Sequence, residues 1–176
     1  MSIANTYLEE SLKSLHGMKS NAEKAIDQLS DKDFHYKPDA ESNNIAIIMK
    51  HLAGNMLSRF TDFLTTDGEK PDRNRDGEFE DDFTSREDLT NFWYKGWTCA
   101  FDSIKNLRED DLLKIVYIRN EPHTVIRALQ RQLVHYAYHC GQIVFLAKQI
   151  KSTDFKTLSI PKGKSGTFTP KPTQEN

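Results

Sequence analysis

The stretch Arg131-Gln-Leu-Val-His135-Tyr-Ala-Tyr-His139-Cys-Gly-Gln142 lies in the last of four long amphipathic segments and places two histidines four residues apart. At about 100° per residue the pair falls roughly 40° apart on a helical wheel. Their Cβ atoms are then about 5–6 Å apart, close enough for both rings to reach one ion at roughly 2.0–2.1 Å. The apolar arc of this segment runs through Val125, Ile126, Ala128, Leu129, Leu133, Cys140, Ile143 and Val144, with Arg127, Arg131, Gln142 and Gln149 opposite. The two histidines straddle the seam, so a metal there would have core on one side and an opening on the other. Taken alone, a His-x-x-x-His on a helix is more often a hydrogen-bonding pair at the boundary of the core. A metal reading needs a third ligand.

Three other segments have helical periodicity. The first spans about Asn5 to Leu29, with Leu8, Leu15, Met18, Ala22, Ala25, Ile26 and Leu29 on its apolar side and Glu9, Lys13, His16, Glu23 and Asp27 on its wet side. The second begins near a cap at Ser42 or Asn43 and runs through Leu64. Outside its broad apolar arc, His51 shares a polar stripe with Asn44, Asn55, Ser58 and Asp62, beside Arg59. That stripe is either a solvated face or the wall of a groove, with His51 as third ligand and Asn55 one turn on. The third segment starts at a cap on Thr84 or Ser85, with Asp88 completing a capping box, and extends to about Leu107. Trp93, Gly96 and Trp97 lie on its buried face, and Gly96 predicts a close helix approach.

The connections are less regular. Thr65 to Asp82 is too charged and too rich in turn residues to form an element, and its acids do not follow a calcium-loop register. It is expected to be a long loop, either a solvated connection or a rim that carries Arg73 and Arg75 over a pocket. His35, between Phe34 and Tyr36, is expected to pack on aromatics. Lys114 to Arg119 is β-branched and aromatic, and Asn120-Glu121-Pro122 signals a turn, which predicts a short strand or hairpin arm. His123 is too far along the helix axis from His135, about 18 Å, to share its ion. Four amphipathic segments predict an all-α bundle over 1–150, followed by an extended tail over 151–176 docked through Phe155, Leu158 and Ile160.

Composition narrows the function. Charged residues are 28% and the net charge is −2, with a pI near 6.3, so nothing draws the chain as a whole to nucleic acid or an anionic membrane. No apolar run of about 18 residues is present, and the N-terminus lacks a secretory pattern, so a cytoplasmic protein is expected. Cys99 and Cys140, the two cysteines, are both expected to be small buried hydrophobes rather than a disulfide or thiolate ligands.

Met49-Lys50-His51-Leu-Ala-Gly-Asn55 on the second helix, together with His135-Tyr-Ala-Tyr-His139-Cys-Gly-Gln142 on the fourth, resembles the DinB-like superfamily of four-helix bundles. The resemblance covers roughly Tyr7 to Lys148, including the short β interruption before the last helix. It implies a divalent metal, usually zinc or nickel, on His51, His135 and His139, with open positions filled by water. Relatives in that superfamily include low-molecular-weight-thiol transferases and a thiol-dependent isomerase. The reading that follows is a metal-dependent enzyme, a thiol S-transferase or a hydrolase, with Asn55, Arg59, Arg131 and Gln142 as substrate contacts or supports of the ligands. The alternative is a non-catalytic, stress-related metal-binding module on the same bundle. A homodimer is also expected, from the relatives and from the aromatic surface at Trp93, Trp97 and Phe101.

Overall fold

Local capping decides where each helix starts. The computed structural model describes residues 2–83, 85–167 and 169. Helix α1 (Ile3–Ile26) is capped by the Ser2 side chain, which accepts from Asn5 N–H. Helix α2 (Ile45–Phe60) is capped by Asn44, not by Ser42 or Asn43 as expected: Asn44 Oδ1 accepts from Ile47 N–H at 2.9 Å. α2 also stops short of Leu64, because Thr61 turns to an extended conformation with ψ 122° and Asp62 after it is left-handed with φ 50°. Helix α3 (Arg86–Lys105) starts at the predicted Ser85 cap, while Thr84 lies outside the described residues.

The predicted β element is a two-stranded antiparallel hairpin of β1 (Ile115–Ile118) and β2 (Glu121–Thr124). Its turn residues, Arg119 and Asn120, have φ 57° and 61°, the paired left-handed geometry of a two-residue hairpin turn. Helix α4 (Val125–Lys151) follows at once, capped by Thr124.

α2 packs chiefly on α3, and α1 on α4, around one apolar core. Gly96 permits the α2–α3 approach, since a Cβ there would lie 2.7 Å from Ala53 Cα. Trp93 and Trp97 belong to this core, 1% and 0% exposed, so they are not the surplus aromatic surface expected of α3. Both cysteines behave as expected: Cys140 is buried, its thiol pushed up to about 12 by burial, and Cys99 is partly buried. Beyond α4, Phe155 and Leu158 pack against the core, whereas Ile160 is exposed. Among the described residues no helix is long and apolar enough to cross a membrane.

Of the two readings of the segment after α2, the rim is the one found, although it is far more ordered than a loop. It folds back against the bundle, with a 3-10 turn at Asp76–Phe79, buried side chains at Glu78 and Arg73, and Arg73 and Arg75 on the wall of a cavity. Asp67 staples it to the hairpin, accepting from the backbone N–H of Arg119 at 2.8 Å and of Asn120 at 2.7 Å. Gly68 N–H donates to Tyr117 C=O at 2.7 Å.

Candidate metal centre

His51 on α2 faces the His135–His139 pair on α4, bringing together residues 84 positions apart in sequence. One ring nitrogen from each of the three lies within 4.8 Å of the others. His51 Nε2 is 3.2 Å from His135 Nε2. Two ligands at roughly 2.0–2.1 Å in a tetrahedral arrangement would be about 3.4 Å apart, so the spacing already suits a shared ion.

The far side of two rings is occupied. His51 Nδ1 is 2.9 Å from Glu78 Oε2, and His139 Nδ1 is 2.7 Å from Gln142 Oε1. Both acceptors place the ring hydrogen on Nδ1, which leaves each Nε2 lone pair directed toward the common centre. His135 has no Nδ1 partner among the described residues, so it can donate its Nε2 hydrogen to His51 or turn a lone pair to an ion. Burial, and then the neighbouring His139 and His51, push the His135 pKa down to about 3. Burial also lowers that of His139. Neutral imidazole, the ligating form, is thereby favoured at neutral pH. The donor set fits a divalent ion with positions left open.

Glu78 is itself fixed. Arg73 grips it through two parallel bonds, Nε to Oε1 at 2.7 Å and Nη2 to Oε2 at 2.8 Å. Burial works to raise the Glu78 pKa, but the bonds from His51 and Arg73 outweigh it and hold the carboxyl below the ordinary glutamate range. Phe79 stacks on the His51 ring with centroids 4.8 Å apart. Gly54 makes room for this arrangement: a Cβ there would come within 2.5 Å of Glu78 Oε1.

The polar stripe of α2 is buried and so is not a solvated face: Asn44, His51, Asn55, Ser58 and Arg59 are all at most 6% exposed. Asp62, at its far end, is exposed. Asn55 Oδ1 accepts from the buried Tyr136 hydroxyl at 3.1 Å. Arg59 donates to Gly68 C=O and to Glu69 at 3.0 Å. Arg131 Nη1 lies 3.5 Å from His123 Nε2. Asn55, Arg59 and Arg131 line one cavity with His51 and His135, whereas Gln142 sits behind His139. His123 is buried on β2, its Nδ1 donating to Glu121 C=O, away from the three-histidine group. His35 pairs with Asp81 at 2.8 Å rather than packing on aromatics, and exposed His16 stacks on Phe101.

Sequence reasoning missed Glu78 and its bond to Arg73, which it placed only at a pocket rim, and it missed Tyr136 and Gln132. The first two sit in a stretch whose charge argues for solvent. The local clue was Phe79, the only aromatic between Thr65 and Asp82. Tyr136 and Gln132 fall inside the apolar arc of α4, Tyr136 between Val125 and Leu129 on the wheel, so the helical period carried a signal of their burial that their polar groups masked.

Among curated proteins none matches this chain. The family model described as "Protein of unknown function (DUF1572)" matches residues 2–164, which takes in all four helices, the hairpin and the three histidines. The chain belongs to the DUF1572 family.

Proposed function

We propose that this chain is a metal-dependent enzyme of the DinB-like kind, with His51, His135 and His139 as the ligands of one divalent ion, zinc or nickel. The convergence of three imidazoles, two of them with Nδ1 already bonded, supports this reading most directly. Three protein ligands leave positions open, and an ion so held supplies Lewis-acid chemistry that lowers the pKa of a bound water or thiol. The chain's own residues prepare the site. Glu78 orients His51, Gln142 orients His139, and Asn55, held by Tyr136, offers a polar wall one turn from His51. The reaction class is transfer of a low-molecular-weight thiol or hydrolysis. Metal analysis of the isolated protein tests the foundation: one ion per chain is the expected result, and no zinc or nickel even after reconstitution would remove it.

A further inference from the structure

Beside His51 and His135 lies a cavity of about 200 Å³ whose wall carries Arg59, Arg73, Arg75, Arg119 and Arg131. Five guanidinium groups around so small a space require an account of their charge. Glu69 pairs with Arg59, Arg73 and Arg119, and Glu78 with Arg73. Arg75 and Arg131 make no ion pair with any described carboxylate; Arg75 lies over the Phe79 ring and Arg131 beside His123. The pocket therefore carries an excess of positive charge in a chain whose net charge is −2, with Arg59 and Arg73 in its buried wall and Arg75, Arg119 and Arg131 at its exposed rim.

A second observation points the same way. Arg59 Nε and Gln132 Oε1 are buried with no hydrogen-bond partner among the described residues, and both residues line this cavity. Leaving such groups unsatisfied is costly, so their presence argues for something that completes them. Arg59 Nε needs an acceptor and Gln132 Oε1 a donor. The turn that delivers Arg119 adopts two left-handed residues and is pinned by Asp67.

We infer that this cavity is an oxyanion pocket that binds the anionic group of a small substrate next to the metal centre. The occupant is a short carboxylate or phosphoryl anion that also carries a hydrogen-bond donor. At about 200 Å³ the cavity lies below the roughly 300–1,000 Å³ of pockets that take drug-sized ligands, which suits a small anion. That the occupant is a substrate rests on the enzyme reading above; binding of the anion does not.

The test uses full-length protein stripped with chelator, so that failure of the metal reading leaves it intact. Malonate and inorganic phosphate are titrated by calorimetry into wild type, Arg75→Gln with Arg131→Gln, Gln132→Leu and a distant control, Lys95→Gln. At least one anion is expected to bind with a dissociation constant of about 1 mM or tighter. The double arginine variant should weaken it about tenfold or more. Gln132→Leu should weaken malonate less than an anion bearing its own hydroxyl, such as hydrogen phosphate or malate. Lys95→Gln, on the exposed face of α3, should bind the anion like wild type. The anion bound more tightly identifies the carboxylate or the phosphoryl source. No binding of either anion, or equal binding by wild type and the double variant with both folded by circular dichroism, overturns the pocket. Binding of zinc added back to that same protein would show that the metal reading stands without it.

Discussion

Glu78 Oε2 lies 2.9 Å from His51 Nδ1, a buried carboxylate–imidazole pair formed between a charged connecting segment and the middle of α2. Such a partner fixes the ring orientation and raises ligand basicity, and losing it typically costs about 10–100-fold in metal affinity. Glu78→Gln is therefore expected to weaken zinc binding within that range while leaving the helical content unchanged. Competitive titration against a chromogenic chelator measures it; an unaltered affinity would show that His51 needs no such partner.

Gly54 provides an independent approach to the same contact. Replacing a helical glycine by alanine ordinarily stabilises by about 1 kcal/mol. Here the added Cβ would overlap the Glu78 carboxylate, whose position Arg73 holds. Gly54→Ala should lower metal affinity about tenfold, following the loss of the Glu78 contact, and should bring no gain in melting temperature. A more stable protein with intact affinity would mean that Glu78 moves aside without consequence.

The depressed histidine pKa values predict how stability of the metal-free protein varies with pH. His135, folded, stays neutral down to about pH 3, whereas in the unfolded chain it takes up a proton near 6.5. The unfolded state then binds more protons as pH falls, so stability is complete above about 6.5 and declines between there and about 3. The decline from His135 is at most about 1.4 kcal/mol per pH unit. His139, more open to solvent, adds to it in the same direction. Urea unfolding at a series of pH values, repeated with His135→Gln, should give a shallower profile in the variant.

Removing a ligand separates a reactive site from a structural staple. Four amphipathic helices already hold the bundle, so His51→Ala should cost no more than about 1–2 kcal/mol of stability. The same substitution should abolish cobalt binding followed by its visible spectrum. Collapse of the whole fold on adding chelator to wild type would favour a structural ion.

The homodimer we propose cannot draw on Trp93 and Trp97, which are core, but α4 carries a separate exposed apolar line at Val134, Tyr138 and Phe145. Light scattering should give about twice the 20.3 kDa chain mass, and Phe145→Glu should return it to one chain. A monomeric wild type at micromolar concentration would count against the pairing.

Much of the molecule was legible in the sequence because it depends on neighbours only a turn away. Apolar residues at helical spacing located α1 to α4, Ser85 marked a helix start, and the β-branched run at Ile115 announced the hairpin. The His135–His139 pair is local in the same sense, since one helical turn fixes its spacing. What the tertiary structure alone decided is the environment of charge. Periodicity leaves open whether Asn55 and Arg59 face water, and composition argues that Arg73 and Glu78 must. Their burial becomes tolerable only when His51, the 69–78 segment and the hairpin, distant from one another in sequence, meet and satisfy one another's hydrogen bonds. A charged side chain carries no local sign of such partners, because the desolvation that would expose the cost, and the bonds that offset it, exist only in the assembled fold.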